Sequence, residues 1–182
     1  MELPKVIFKI REGDITEDGG CSFEEGSWVE KSTDDIFKDK RIIIFSLPGA
    51  FTPTCTSQQL PGFESKYEDF KAMEIDEIYC ISVNDSFTMN AWACNEGIKN
   101  VKVLPDGSGV FTEGMNMLVK KDNLGFGERS WRYAAIVNNG TVEVLFEEPG
   151  KGDNTTGDPY SVSAPENVLK YLQSSSIDSN SI

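Results

Sequence analysis

The sequence predicts an α/β protein: a central mixed β-sheet flanked by helices, with a small β extension at the N-terminus. Three observations carry this. Apolar, β-branched runs alternate along the chain with segments of helical spacing. The run Ile42-Ile43-Ile44-Phe45 has no polar face, as a strand buried between two layers requires. Near the end, two strand-like runs flank Asn138-Asn139-Gly140, a hairpin signal that brings antiparallel pairing into a sheet otherwise begun by β-α-β units.

Each element has its own signal. Val6-Ile7-Phe8-Lys9-Ile10 and the runs after it, broken by Gly13, Gly19-Gly20 and Gly26, predict small strands or a hairpin within residues 1–30. Ser32-Thr33-Asp34-Asp35-Ile36-Phe37 has the form of a short capped helix. Residues 41–47 form the central strand. Leu60, Phe63, Tyr67 and Phe70 mark a helix over 54–72, which Pro61-Gly62 should kink. A strand at 77–83 and a helix at 86–96 follow, the latter with Phe87, Ala91 and Trp92 expected on one stripe. A short strand at 101–104 and a helix near 110–116 come next. The hairpin pairs Tyr133–Val137 with Thr141–Phe146, and a last helix spans Ala164–Leu172, with Pro165 in its first turn. This order fits a thioredoxin-like fold. A flavodoxin-like sheet is the rival, but it would need parallel strands where Asn139-Gly140 stands. Residues 1–172 are expected to form one domain and the Ser-rich residues 173–182 a flexible tail.

Composition restricts the chemistry. The chain has 182 residues, a formal net charge of −13, four cysteines and no histidine. Without histidine there is no Ser-His-Asp triad, no Cys-His pair and no imidazole-ligated zinc. The acidic balance argues against a nucleic-acid partner and against an anionic membrane surface. No apolar run approaches the roughly 20 residues that span a bilayer. The N-terminal Met1-Glu2-Leu3-Pro4-Lys5 lacks the order of a signal peptide, so a cytoplasmic location is expected.

The cysteines are Cys21, Cys55, Cys80 and Cys94, with no C-x-x-C pair among them. The default expectation for each is a small buried hydrophobe. Cys80 falls in a buried strand, Cys94 in a helix and Cys21 after Gly19-Gly20. Cys55 alone follows a strand and a Pro/Gly/Thr-rich turn that opens a helix. A sulfur there meets the positive end of the helix dipole and free backbone N–H groups, which favour the thiolate. Thr52 brings a hydroxyl within reach of that sulfur, and Pro48 and Pro53 stiffen the loop. Such a nucleophile has no general base. It suits an electrophile that a thiolate attacks directly, such as a peroxide O–O bond, with a sulfenic acid as product.

Pro48, Thr52 and Cys55 spell P-x-x-x-T-x-x-C, which resembles the peroxiredoxin motif. The longer phrase Pro-Gly-Ala-Phe-Thr-Pro-Thr-Cys with Leu60-Pro61-Gly62-Phe63 looks like the type II, or peroxiredoxin-five-like, subfamily of the AhpC/TSA superfamily. Ser82-Val83-Asn84-Asp85, Trp92 and Asp106-Gly107-Ser108-Gly109 extend the likeness, which runs from about residue 40 to 172. The resemblance implies a thioredoxin-like thiol peroxidase for hydrogen peroxide and alkyl hydroperoxides, with a role in cell redox homeostasis and with no metal or cofactor. It implies that Cys55 attacks, Thr52 hydrogen-bonds the peroxide, Pro48 shields the pocket, and Arg132 lies over the thiolate. Arg129 and Gly49 would stand behind them. Leu124-Gly125-Phe126-Gly127, with Phe126, would line the mouth. The subfamily often has a histidine where this chain has Gln59, which puts one hydrogen bond in question.

The resemblance also bears on turnover. Cys80 is a possible resolving cysteine, although burial in a strand favours an inert thiol. Gly157-Asp158-Pro159-Tyr160-Ser161-Val162-Ser163 resembles bacterial glutaredoxin-fused or glutathione-dependent members. One-Cys turnover with an external thiol is therefore expected, from glutathione and glutaredoxin or from thioredoxin, in a homodimer. Two rivals stand beside this. A thiol–disulfide reductase would need a second cysteine where Gln58 stands. A peroxide sensor or redox-regulated chaperone would use Cys55 as a switch.

Overall fold

In the computed structural model, which describes residues 1–179, the chain opens with an antiparallel pair, β1 (Ile7–Glu12) and β2 (Ser27–Ser32). Helix α1 (Thr33–Phe37) follows at once, because Ser32 and Asp35 form a reciprocal capping box. Next come β3 (Arg41–Ser46), a π-helical turn (Cys55–Gln59), α2 (Leu60–Ser65), α3 (Tyr67–Ala72), β4 (Glu77–Ser82) and α4 (Ser86–Asn95). The chain continues through β5 (Lys102–Pro105), α5 (Val110–Gly114), β6 (Leu118–Lys120), a 3-10 turn (Asp122–Leu124) and β7 (Glu128–Ser130). It ends with β8 (Tyr133–Asn138), β9 (Thr141–Glu147) and α6 (Pro165–Ser179).

The main sheet has the order β5-β4-β3-β8-β9. Strands β3, β4 and β5 are parallel, while β8 and β9 are antiparallel additions on the other side of β3. The Asn139-Gly140 hairpin thus decides the topology as the sequence suggested. Both residues have positive φ, 49° and 78°, which the tight turn requires.

Alternation along β3 divides the core into two layers. Ile43 and Phe45 join Cys55, Phe63, Phe70, Cys80, Trp92, Ala134 and Val168 on one face. Ile42 and Ile44 join Phe8, Phe37, Phe111, Trp131 and Tyr133 on the other. Phe45 stacks on Phe63 at 4.2 Å, and Phe63 on Phe70 at 5.8 Å, which fastens α2 and α3 to the sheet.

Four expectations need correction or extension. The helix over 54–72 is three pieces, with a widened turn just before Pro61 and a break at Lys66. Pro61 has no N–H to give to the preceding turn, and its ring crowds a carbonyl there, so the ladder opens to the wider π spacing. Phe87 does not share the core stripe of α4. It is 39% exposed, whereas Trp92 is buried as expected, together with Met89 and Ala93. Cys21 and Cys94 are not separate buried hydrophobes: they are joined in a disulfide. Helix α6 continues to Ser179 rather than ending at Leu172. Its serines bond back to carbonyls of their own helix, Ser174 to Lys170 and Ser176 to Gln173. Residues 180–182 of the expected tail lie outside the described residues.

Candidate active site

The loop after β3 is held from both sides. Asn84 Oδ1 accepts from Ala50 N (3.0 Å) and from Ser82 Oγ (2.7 Å), tying the loop to the end of β4. Arg129 Nη1 donates to Pro48 O (3.3 Å) and its Nε to Phe126 O (3.2 Å), with the guanidinium over the Phe126 ring. Gly49 makes this approach possible, since a Cβ there would stand 2.4 Å from Arg129 Nη1. Phe51, at φ 64°, holds an unusual left-handed conformation and leaves its ring half exposed. Thr52 Oγ donates to Gly49 O at 2.7 Å. With its proton used there, that oxygen can only accept a hydrogen bond from a substrate O–H.

Cys55 opens the π-helical turn and is fully buried. Thr56, its neighbour, accepts from the buried indole of Trp92 (3.0 Å), which braces the turn against α4. Arg132 stands just before β8, 1% exposed, with Nη1 3.5 Å from Cys55 Sγ. The same Nη1 donates to Gln59 Oε1, and Nη2 donates to Asp158 Oδ1 at 2.7 Å. Arginine has no acceptor, so the Gln59 oxygen and not its amide nitrogen must face it. Burial works against the Arg132 charge. Cys55 and Asp158 outweigh burial and raise its pKa above the ordinary arginine value. Arg132 Nε and Gln59 Nε2 are buried donors with no hydrogen-bond partner among the described residues.

A strap of residues 149–163 closes over Arg132. The Tyr160 ring lies 5.7 Å from the guanidinium. Glu148 clasps the strap's end, accepting from Ser161 N (3.0 Å), Ser163 N (2.9 Å) and Ser163 Oγ (2.7 Å). Burial pushes the Glu148 carboxyl up, but these donors outweigh it and hold it below the usual carboxylate range. Cys80 lies on β4 in the same apolar layer as Cys55. Burial pushes its thiol well above the usual range, the Cys55 sulfur pushes the same way, and Arg132 opposes them. Cys80 is therefore held as an uncharged thiol. No group of three or more Cys, Asp or Glu among the described residues could hold a metal ion. No described helix is long and apolar enough to cross a membrane.

A site with a fully buried sulfur beside a buried guanidinium, and with no histidine to act as base, is suited to a direct two-electron attack on a peroxide. Comparison with known proteins agrees. Residues 23–160 match the Redoxin family model. A Rhizobium etli peroxiredoxin is 58% identical over 172 residues, covering 94% of each chain. The chain belongs to the peroxiredoxins. As a peroxiredoxin it is a thiol-dependent peroxidase with a thioredoxin-like fold. The Plasmodium falciparum antioxidant protein, a 1-Cys peroxiredoxin, superimposes with a TM-score of 0.88 at 36% identity over 96% of this chain and 98% of that one. Reduced Prx3 of Vibrio vulnificus, in complex with H2O2, gives 0.80 at 31% identity over 95% and 94%.

The structure brings together Pro48, Gly49, Thr52, Cys55, Phe126, Arg129 and Arg132, the residues singled out from the sequence. Sequence reasoning did not assign Gln59, Asp158 or Glu148 their contacts. Gln59 lies one helical turn after Cys55, a spacing that could have revealed it. Asp158 and Glu148 carry no such local signal.

Proposed function

We propose that Cys55 is the peroxidatic nucleophile of a one-Cys thiol peroxidase for hydrogen peroxide and alkyl hydroperoxides. The Cys55 thiolate attacks the terminal oxygen. The O–O bond breaks, the S–O bond forms, and the departing oxygen takes a proton to leave as water or alcohol. Cys55 is left as a sulfenic acid. Thr52 accepts from the hydroperoxide O–H and so turns the oxygen toward the sulfur. Arg132 stabilises the thiolate and the charge that builds on the leaving oxygen, with Nε as a donor still to be used. Pro48 walls off the sulfur, and Arg129 and Gly49 hold that wall in place.

The carrying observation is the buried Arg132 at 3.5 Å from Cys55 Sγ, aimed by Gln59 and Asp158. Its test is steady-state peroxide consumption by the Cys55→Ser and Cys80→Ser variants. Loss in the first with retention in the second is expected. Consumption by Cys55→Ser would overturn the mechanism, and its loss in Cys80→Ser would make Cys80 the resolving residue. Burial of Cys80 and the similarity to the Plasmodium 1-Cys peroxiredoxin support an external reductant. We read that reductant as glutathione with glutaredoxin, or thioredoxin, in the cytoplasm. NADPH-coupled assays with each pair separate them. The exposed Phe51 and Leu124, on two segments joined through Arg129, support a homodimer, which sedimentation checks.

A further inference from the structure

The mechanism leaves Cys21 and Cys94 unused, and the fold joins them in a disulfide across 73 residues of sequence. Cys21 is exposed in the segment between β1 and β2, and Cys94 is half-buried on α4. Along α4, Ser86, Asn90 and Cys94 recur every helical turn and share one face. Each meets the N-terminal segment. Ser86 Oγ accepts from Arg11 N at 2.9 Å. Asn90 Nδ2 donates to Arg11 O at 3.2 Å and to Asp14 Oδ2 at 3.3 Å, and Cys94 holds Cys21. Asp14 is 1% exposed and paired with Arg11 at 2.9 Å. Phe87 adds edge contacts to Phe23 and Trp28.

The opposite face of α4 serves the active site, through Trp92 and its hydrogen bond to Thr56. Cys94 follows Trp92 by two positions and is turned about 200° from it, so it looks away from Cys55. Each sulfur of the pair also has a backbone carbonyl beside it. Asn90 O lies 3.4 Å from Cys21 Sγ, and Gly20 O lies 3.5 Å from Cys94 Sγ. These carbonyls can accept from the two S–H groups once the bond is reduced.

We propose that Cys21 and Cys94 form a second redox centre, a thiol–disulfide exchange site for low-molecular-weight disulfides and thiols of the glutathione type, whose oxidation staples residues 11–28 to α4. Starting from the dithiol, the exposed Cys21 thiolate attacks one sulfur of the small disulfide. That S–S bond breaks, one thiolate leaves and takes up a proton, and Cys21 carries the other half. Cys94 then attacks the Cys21 sulfur and expels the second thiolate, which is protonated in turn. Two protein thiols have lost two electrons and two protons, and one small disulfide has become two thiols. The reverse reaction consumes two thiols. The oxidant is the product of a thiol peroxidase running on such a thiol. Only this supply rests on the reductant proposed above, because the exchange itself does not involve Cys55.

The test uses the full chain carrying Cys55→Ser, equilibrated in buffers of graded reduced-to-oxidised glutathione ratio, alkylated, and read by mass. The expected result is joint conversion of Cys21 and Cys94 within the range of ratios, with one glutathione trapped on Cys21 when Cys94→Ser is added. Amide exchange over residues 11–28 should quicken by about 10-fold in the reduced protein, the mark of local opening. The proposal is overturned if the pair stays dithiol at every ratio, or stays oxidised in excess reduced glutathione, or if Cys21 remains unmodified in the Cys94→Ser chain. Unchanged exchange over 11–28 overturns the staple. A failure of the peroxidase reading shows elsewhere, as a chain with Cys55 intact that consumes no peroxide.

Discussion

Two sulfur sites lie on either side of α4, and they differ in nearly every physical respect. On the inner side Cys55 is fully buried, faces a guanidinium at 3.5 Å, and shares its layer with a second cysteine, the uncharged Cys80. On the outer side Cys21 is exposed and already bonded to a second sulfur. A buried sulfur facing a fixed guanidinium suits a small electrophile such as a hydroperoxide. A sulfur on an exposed loop, with a thiol in line behind it, suits exchange with other sulfurs. The surroundings, not the residue type, divide the four cysteines into different chemistries.

The comparison breaks most easily at the outer site. Replacing Cys21 and Cys94 together by serine should lower unfolding stability by about 2–5 kcal/mol, the usual cost of losing a native disulfide. The rate of Cys55 oxidation by peroxide should stay within about 3-fold, since the two sites sit on opposite faces of α4. Urea denaturation beside stopped-flow peroxide kinetics reads both. A large loss of rate with stability intact would show the two sites to be one machine.

At the inner site, Arg132→Met should slow Cys55 oxidation by about 10²–10³-fold, the effect of deleting a preorganised charge. Arg132→Lys should recover only part of it. A lysine cannot contact the sulfur, Gln59 Oε1 and Asp158 together through one planar fork. Full recovery by lysine would mean that charge alone matters and the fork does not.

These two sites were unequally legible in the sequence. The inner one is written locally. Pro48, Thr52 and Cys55 fall within one loop, and Arg132 stands immediately before a strand of apolar, β-branched character. The outer one joins segments 73 residues apart, and nothing near Cys21 or Cys94 announces a partner. Fold elements divide the same way. The Ile42–Phe45 run and Asn139-Gly140 carry strong local signals. Strands β6 and β7 have only three residues each, too few to show alternation, and they exist because they pair with each other. Pro61 signals a kink at the turn Cys55–Gln59, but the contacts that this turn makes with Trp92 and Arg132 come from distant segments and carry no local signal.

The strap over Arg132 should respond to acid. The Glu148 carboxyl is held below its ordinary value of 4.5, so it binds a proton less readily in the folded chain than in the unfolded one. Its contribution is complete above that ordinary value and fades as pH falls through the lowered one. Glu148→Gln should cost about 1–3 kcal/mol at neutral pH and flatten the acid limb of the stability curve, because hydrogen bonds to a charged acceptor are lost. Thermal melts between pH 3 and pH 7 check this. An unchanged acid limb would place the sensitivity in another carboxylate.

The smallest expected effect separates two ways of aiming Arg132. The Asp158 side chain is 47% exposed whereas its partner is 2% exposed, so solvent screens much of the attraction between their charges. The hydrogen bond at 2.7 Å remains as a positioning contact. If position is what Asp158 contributes, Asp158→Asn keeps an acceptor oxygen for Nη2 and should leave the peroxide rate within about 2-fold, a loss below 1 kcal/mol. Asp158→Ala removes the acceptor, leaves a guanidinium donor without its partner, and should cost about 5–10-fold. The charge enters with the opposite sign, since a carboxylate near Arg132 draws on the same guanidinium that the thiolate needs. Raising salt should therefore leave the wild-type rate nearly flat if position dominates, because a hydrogen bond is not screened as a charge pair is. An Asn variant as slow as the Ala variant, together with a rate that falls with salt, would assign the aiming of Arg132 to charge, with Gln59 and the Tyr160 ring left as uncharged anchors.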